Sequence, residues 1–260
     1  MFLGAGRITS ALVAGLRASG FRGRIVVCDR HAEKLRQLRR RYAVRVEPDP
    51  HRAAAQAGLL LVAVRPPDVL PLLAALGTLP PATVPVSLAA GVPLRTLESA
   101  LRTPAGWTRA MPSPASRNRH GLTALAFARA APRAARGRVR QFFERVGAAL
   151  EIPEREFDAF TVVYSTSQGY HALASRVRAA RRLGLSPRAA FVAAAHGLLD
   201  GLHSLGKGES SLEELLAEAA TPGGIAGKVL ETMHSEKYER LIERAYRAGL
   251  ARARTVGRTS

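Results

Sequence analysis

Leu3-Gly4-Ala5-Gly6-Arg7-Ile8-Thr9 is a glycine-rich passage between a short apolar segment and a helix-forming segment. In a dinucleotide-binding fingerprint, the first glycine permits a tight turn and the second lets a pyrophosphate approach the helix N-terminus. Gly4 and Gly6 occupy these two positions, and Thr9 stands where a third glycine would serve helix–strand packing. The spacing predicts a dinucleotide site, with an ordinary strand-to-helix turn as the alternative, because a lone match is weak.

The segments that follow this turn alternate between short apolar runs and amphipathic stretches up to about residue 150. Near-continuous apolar strands separated by helices are typical of a parallel sheet covered on both faces. We therefore predict an α/β fold, a doubly wound Rossmann-type domain. Only residues 1–3 precede the turn, where a strand usually has about five residues, so we expect the start to be clipped or misassigned. The predicted strands are 25–28, 59–64, 84–88 and 122–127, and the predicted helices are 10–19, 32–42, 67–76 and 133–148.

From residue 153 the pattern changes to successive helical segments rich in alanine, leucine and arginine. The chain therefore divides into an α/β domain over residues 1–152 and an all-helical domain over residues 153–260. The predicted helices are 156–183, 187–205, 211–220, 223–233 and 236–254. They are separated by turn signals at Gly184-Leu185-Ser186-Pro187, Gly206-Lys207-Gly208 and Thr221-Pro222-Gly223-Gly224.

The 260-residue chain carries a formal net charge of +19, and nearly all of its 39 basic residues are arginine. A basic surface attracts nucleic acid, but these arginines are scattered along the whole chain and aromatic residues make up only 5%. The charge instead favours anionic small molecules as partners. One cysteine, Cys28, excludes an internal disulfide. We assign no metal site, because no spacing shared with carboxylates is seen for His120, His196, His203 and His234. We expect a cytoplasmic location.

The end of the second predicted strand bears on the choice between NAD and NADP. Asp29 stands there, and an acid at this position usually accepts from the ribose 2′-hydroxyl of NAD. Arg30 follows directly and Lys34 lies one helical turn later, and two cations suit the 2′-phosphate of NADP. We favour NADP, with NAD and a solvated helix start as the alternatives.

Six short segments, in order along the chain, resemble pyrroline-5-carboxylate reductase. They are Leu3-Gly4-Ala5-Gly6, Ala63-Val64-Arg65-Pro66, Ser87-Leu88-Ala89-Ala90-Gly91, Arg109-Ala110-Met111-Pro112, Asp158-Ala159-Phe160-Thr161 and Thr221-Pro222-Gly223-Gly224. The resemblance implies an N-terminal domain that binds NAD(P)H and a helical C-terminal domain that forms a homodimer or a larger ring of dimers. It also implies an anionic substrate bound between the two domains.

The cofactor residues fall on the first three of these segments and on the end of the second predicted strand. Arg65 stands where the family usually has lysine and keeps a cation there. Small residues at Ala89-Ala90-Gly91 let the backbone approach a nicotinamide ribose, or else serve tight packing at a strand end. The candidate cofactor-binding residues are Leu3, Gly4, Ala5, Gly6, Arg7, Ile8, Asp29, Arg30, Ala63, Val64, Arg65, Pro66, Ala89, Ala90 and Gly91.

The chain departs from the family where the resemblance places the substrate. The family's Ser-Gly-Ser-Gly-Pro-Ala-Tyr stretch corresponds to residues 164–170, of which the hydroxyl of Thr166 and the ring of Tyr170 are recognisable; these two are the catalytic candidates, with His171 as another acid. The family's imine-facing threonine is replaced by Ile225 or Ala226. The candidate substrate-binding residues are Met111, Pro112, Ser113, Ser165, Ser167, Gly223, Gly224, Ile225 and Ala226.

Two functions are consistent with this pattern. The first is NAD(P)H-dependent reduction of a cyclic imine, pyrroline-5-carboxylate or a related ring. A pyrroline nitrogen is basic enough to arrive protonated, so the loss of one hydroxyl weakens this chemistry without excluding it. The alternative is a catalytically weak paralogue that binds NAD(P)H and has a regulatory or partner-binding role.

Overall fold

The computed structural model describes residues 1–205, 211–221 and 223–256. The strands are β1 (Phe2–Leu3), β2 (Val26–Cys28), β3 (Arg45–Val46), β4 (Leu59–Val62), β5 (Val84–Ser87), β6 (Thr108–Met111), β7 (Gly121–Phe127) and β8 (Gly147–Glu151). They form one eight-stranded sheet in the order β3-β2-β1-β4-β5-β6-β7-β8. Neighbouring strands are parallel except β6 and β7, which pair antiparallel.

Helices connect the strands and cover both faces of the sheet. They are α1 (Arg7–Ala18), α2 (Ala32–Tyr42), α3 (Pro50–Ala55), α4 (Pro66–Leu76), α5 (Leu94–Ala100), α6 (Arg133–Glu144) and α7 (Glu154–Val163). From β1 the chain moves outward to β2 and β3, and it then returns to place β4 on the other side of β1. This reversal puts a crevice at the carboxyl ends of β1 and β4, where open α/β sheets bind ligands.

The two faces of the sheet carry separate apolar clusters, because successive side chains of a strand point to opposite faces. On one face Phe2 packs in a cluster with Leu12 of α1 and Phe143 of α6. On the other face Leu3 belongs to a cluster that includes Val69 of α4. Strands with apolar residues on both sides are therefore buried between helices, which confirms the doubly wound arrangement predicted from the apolar runs.

The C-terminal part of the chain is helical throughout its described residues. Its helices are α8 (Thr166–Arg182), α9 (Pro187–Ser204), α10 (Leu212–Ala219), α11 (Ile225–Ser235) and α12 (Tyr238–Val256). The chain forms two compact units: Met1–Tyr164 with the residues from Ala248 onward, and Ser165–Arg247. The side chains of Ser186 and Ser211 cap the N-termini of α9 and α10, and Glu214 completes a capping box with Ser211. These caps mark helix starts at which orphan N–H groups find acceptors.

Two predicted helices are wrong in extent. The single helix predicted over residues 156–183 is two helices, because the chain turns at Tyr164 and Ser165 and begins again at Thr166. The helix predicted over 133–148 ends at Glu144, and Gly147, with φ of +149°, leads into β8. The predicted turn residues 206–208 and Pro222 lie outside the described residues. The structure also adds elements that were not predicted: β3, α3, α5, β6 and β8.

The predicted domain boundary near residue 152 stays a prediction. The structure groups α7 with the first unit, since Phe157 packs with Ala124 and Ala126 of β7. In the ranges that the structure describes, no helix is both long enough and apolar enough to cross a membrane.

Candidate functional site

The turn between β1 and α1 has a backbone that only glycine adopts easily at its first position. Gly4 has φ of +110°, and a Cβ added to it would lie 2.5 Å from the carbonyl oxygen of Ala63. The Gly4 N–H donates to the carbonyl of Cys28 at 2.7 Å, and the buried Thr9 hydroxyl donates to the Gly4 carbonyl at 2.7 Å. Thr9, which replaces the third glycine of the fingerprint, therefore holds the turn through its hydroxyl. Sequence reasoning missed this role.

Gly6 faces open space at the start of α1. It is the N-cap residue of this helix, with extended backbone and no side-chain cap hydrogen bond. A Cβ built on Gly6 would have no heavy atom within 4 Å. The first N–H groups of a helix have no intrahelical acceptor and attract anions. An uncapped helix start with free space before it is the geometry that a pyrophosphate requires.

Asp29 is tied to this turn through one carboxylate oxygen and to the start of α2 through the other. Oδ2 accepts from the N–H of Ala5 at 2.6 Å, and Oδ1 accepts from the N–H of His31 at 2.8 Å and contacts its Nδ1 at 2.7 Å. Although burial alone would raise the pKa of Asp29, the hydrogen bonds from Ala5 and His31 hold it below its ordinary value. Asp29 therefore fixes the glycine turn from β2, a role that sequence spacing alone could not separate from ribose binding.

A cavity of about 360 Å³ opens at the carboxyl ends of β1, β2 and β4. Its lining includes both glycines of the turn and a group of cationic side chains. Eight of the predicted cofactor residues line it: Leu3, Gly4, Gly6, Asp29, Arg30, Ala63, Val64 and Arg65. The structure adds lining residues that the sequence did not indicate, of which His31, Pro48 and Asp68 are examples, and Lys34 lies there as well. The Nε of Arg65 lies 3.3 Å from Asp68.

The other predicted cofactor residues do not line this cavity. Ala5 is buried, and Ile8 packs against the apolar cluster around Phe2. Arg7 and Pro66 are the first residues of α1 and α4.

Ala89, Ala90 and Gly91 follow β5 at the same edge of the sheet. Ala89 is buried and its N–H donates to Oγ of Ser87 at 3.3 Å. Gly91 has φ of +75°, which turns the chain toward α5. These small residues lie at the end of a central strand, where a nicotinamide ring would be expected in a doubly wound fold.

Met111, Pro112 and Ser113 follow on from β6 in the first unit. Ser113 is buried, and its hydroxyl accepts from the N–H of Ala115 at 3.1 Å as the cap of a 3₁₀ turn, Pro114–Asn118. The Ser113 side chain therefore has a structural use within the first unit.

The remaining substrate candidates lie in the second unit. Thr166 is the first residue of α8, and the hydroxyls of Ser165 and Ser167 lie 2.7 Å apart. The side chain of Tyr170 is largely exposed, at 68%. Tyr164, which ends the first unit, is committed elsewhere, because its hydroxyl donates to the carbonyl of Leu122 and accepts from its N–H, both at 2.8 Å.

The start of α11 carries the other group of substrate candidates. Gly223 has φ of +77°, and Gly224 is the N-cap of α11, without a side-chain cap. Ile225, the first residue of the helix, is 90% exposed, and Ala226 follows it. Neither side chain has an exchangeable proton. No cluster of histidine, cysteine and carboxylate side chains suited to a metal occurs among the described residues.

Two family models match separate parts of the chain. Residues 1–91 match the family described as NADP oxidoreductase coenzyme F420-dependent. Residues 154–256 match the family described as pyrroline-5-carboxylate reductase dimerisation. The dimerisation model covers most of the described helical region, which indicates that this region forms a subunit interface.

Curated relatives match over nearly the whole chain. A pyrroline-5-carboxylate reductase of Pseudomonas aeruginosa is 29% identical over 258 residues, covering 97% of this chain and 94% of the relative. One of Corynebacterium melassecola is 28% identical and covers 98% of this chain and 97% of its own. Among solved structures, the Plasmodium falciparum pyrroline carboxylate reductase with NADP bound has a TM-score of 0.89 at 16% identity, covering 98% and 97% of the two chains. That structural likeness shows the fold.

Proposed function

Because this chain belongs to the pyrroline-5-carboxylate reductase family, we propose that it reduces pyrroline-5-carboxylate, or a closely related cyclic imine, with NAD(P)H. The observation that carries the proposal is the glycine turn at α1. Gly4 is held in a backbone that excludes other residues, and Gly6 leaves the helix start open toward a cavity. An ordinary strand-to-helix turn would also need Gly4, but it has no need of an uncapped helix start that opens into a cavity.

Bound NAD(P)H supplies a hydride for the imine carbon. In this proposal Gly6 and the first N–H groups of α1 bind the pyrophosphate, and Asp29 keeps the turn in place through Ala5. Arg30 and Lys34 line the same cavity and bind a 2′-phosphate. Both oxygens of Asp29 already accept hydrogen bonds from the protein. Asp29 is therefore less available to accept a hydrogen bond from the ribose 2′-hydroxyl of NAD. NADP is therefore the preferred cofactor.

The imine nitrogen gains its proton without the hydroxyl that relatives are expected to use. Ile225 and Ala226 cannot donate one, and the hydroxyl of Tyr164 is engaged by Leu122. A pyrroline nitrogen protonated in solution already carries the proton before hydride arrives. Thr166 and Tyr170 then bind and orient the ring, and the uncapped start of α11 accepts the substrate carboxylate.

A homodimer is part of the proposal. The second unit exposes large apolar side chains that water contacts in the isolated chain. These residues lie within the range that matches the dimerisation family. The exposed residues include Leu183, Phe191, Val192, Leu202, Leu212, Leu216 and Val229. Exposed apolar side chains in such number mark an interface between chains. The cytoplasmic location expected from the sequence belongs to the same proposal.

The test is a spectrophotometric assay of the purified protein with NADPH and pyrroline-5-carboxylate. We expect loss of NADPH absorbance together with formation of proline, and no loss with the Gly6→Val variant. The exposed Ile225 in place of a hydroxyl residue favours one second candidate, a paralogue that binds NADPH without turning it over. Tight NADPH binding without oxidation by pyrroline-5-carboxylate or related cyclic imines would establish that candidate and reject the reductase.

A further inference from the structure

Arg109 is a basic side chain buried inside the first unit. It lies on β6, opposite Ser87 of β5, and its side chain is only 2% exposed. Its guanidinium lies over the ring of Phe157, 4.2 Å from the ring centre. A buried cation needs specific partners to be stable there. The partners of Arg109 therefore indicate what the fold gains from keeping it.

Two carboxylates of α7 hold Arg109. Its Nη1 donates to Oε1 of Glu154 at 3.0 Å, and its Nη2 donates to Oδ1 of Asp158 at 2.5 Å. Arg109 and Asp158 come from two of the six segments that resemble the reductase family, 49 residues apart. The structure joins these segments in one ion pair.

The same oxygen of Glu154 also holds the start of α5. Oε1 accepts from the N–H of Leu94 at 2.9 Å, and Leu94 is the first residue of that helix, whose N-cap, Pro93, offers no side-chain acceptor. A carboxylate at a helix N-terminus is favourable. Arg109 thus holds the carboxylate of Glu154, and this carboxylate holds the backbone of Leu94, just beyond Ala89-Ala90-Gly91.

We propose that Arg109 is a positioning residue, which acts through Glu154 to hold the loop 88–94 against the nicotinamide end of the cofactor site. The expected effect on catalysis rests on the proposed function. Arg109 also precedes Met111 by two residues on β6, so a single side chain links the loop after β5, the strand that leads to the substrate candidates, and α7. Without the guanidinium, the carboxylates of Glu154 and Asp158, one helical turn apart on α7, would have no cation between them. Glu154 would then no longer be held where it accepts from the N–H of Leu94.

The first experiment measures amide hydrogen exchange in the unliganded protein. We expect Arg109→Gln to accelerate exchange across residues 88–94 at least tenfold, while the glycine turn keeps its protection. Arg140→Gln is the control, because it also breaks an arginine–carboxylate pair, with Glu151 at 2.7 Å, but an exposed one on α6 and β8, and it should leave this loop unchanged. Unchanged exchange over 88–94 in Arg109→Gln would overturn the proposal.

The second experiment measures reduction kinetics with NADPH and with NADPH deuterated at the transferred position. Arg109→Gln should lower kcat about a hundredfold, the effect of a misplacement of about 1 Å, and raise the isotope effect on kcat, while the Kd for NADPH changes less than threefold. Arg109→Lys keeps the charge but not the two-pronged geometry, so it should recover part of the activity. If kcat fell only in proportion to the fraction of folded protein and the isotope effect did not change, Arg109 would be a purely structural residue. That result would reject the proposal.

Two further variants keep the proposal testable if Arg109→Gln does not fold. Glu154→Gln retains an oxygen for Leu94 but removes the charge that binds Arg109, and Asp158→Asn weakens only the second contact. Glu154→Gln should reproduce the faster exchange of 88–94, whereas Asp158→Asn should do so less. If the wild-type protein does not oxidise NADPH with any cyclic imine, the proposed function fails, and the exchange data still decide whether Arg109 positions the loop.

Discussion

Gly6→Val separates cofactor binding from folding, because the structure leaves room for a side chain at this position in the glycine turn. Gly6 has φ of −76° and ψ of −173°, a backbone that valine also adopts. A Cβ there meets no heavy atom within 4 Å. We therefore expect the free energy of unfolding without cofactor to change by only about 0.5 kcal/mol, as for other substitutions outside packed regions.

The same substitution should weaken NADPH binding strongly. The valine side chain occupies the space through which a pyrophosphate reaches the first N–H groups of α1. A hydrogen bond to a charged group contributes about 1.5–3 kcal/mol. Loss of two such bonds, at the lower value each, amounts to about 3 kcal/mol, or roughly a hundredfold in Kd.

Fluorescence titration with NADPH and thermal unfolding of the same samples measure the two quantities. Gly137→Val is the matched control, because a Cβ at Gly137 on α6 also has no heavy atom within 4 Å and this residue does not line the cofactor cavity. It should bind NADPH as the wild type does. If Gly6→Val bound NADPH with unchanged affinity, the cofactor would lie elsewhere and the reasoning from the glycine turn would be refuted.

Three other predictions concern the residues around this turn. Gly4→Ala should destabilise the unliganded protein by about 2–5 kcal/mol in urea unfolding, because it combines a strained positive φ with overpacking against Ala63; a loss under 1 kcal/mol would contradict it. The lowered pKa of Asp29 means that its ionised form stabilises the fold fully above the ordinary aspartate pKa of 3.8 and that this contribution is lost as the pH falls through the folded-state pKa. The stability gap between wild type and Asp29→Asn should thus be constant near neutral pH and shrink in acid, and a gap that widened in acid would reverse the assignment. The double variant Arg30→Ala/Lys34→Ala should weaken NADPH binding at least tenfold more than NADH binding, in titrations with both nucleotides; equal losses would show that these cations do not select the 2′-phosphate.

The sequence predicted the continuous apolar strands well and the very short or charge-bearing strands poorly, for physical reasons. β4 and β5 are apolar on both faces and are recognisable as buried strands, but β3 has two residues and β6 contains Arg109. The interior position of that charge depends on Glu154 and Asp158, 45 and 49 residues away. No local pattern reports contacts over such separations.

The candidate site divides in the same way. A turn that requires glycine can be recognised from the sequence, so Gly4 and Gly6 could be assigned from their spacing. The roles of side chains cannot be recognised in this way, because they depend on tertiary neighbours. Examples are the hydrogen bonds of Asp29 with the turn, of Thr9 with Gly4 and of Tyr164 with Leu122. The Tyr164 contact lies where the predicted long helix is interrupted, at the end of α7.

The central claim, that the chain delivers a hydride from NADPH to a cyclic imine, is tested most directly by following the hydride itself. Wild-type protein is incubated with pyrroline-5-carboxylate and NADPH deuterated on one face of C4 of the nicotinamide ring, and the proline formed is analysed by mass spectrometry, with Gly6→Val as the blank. The account predicts proline carrying one deuterium at the former imine carbon from one of the two deuterated stereoisomers and unlabelled proline from the other. Absence of labelled proline with both stereoisomers, from protein that binds NADPH, would contradict it.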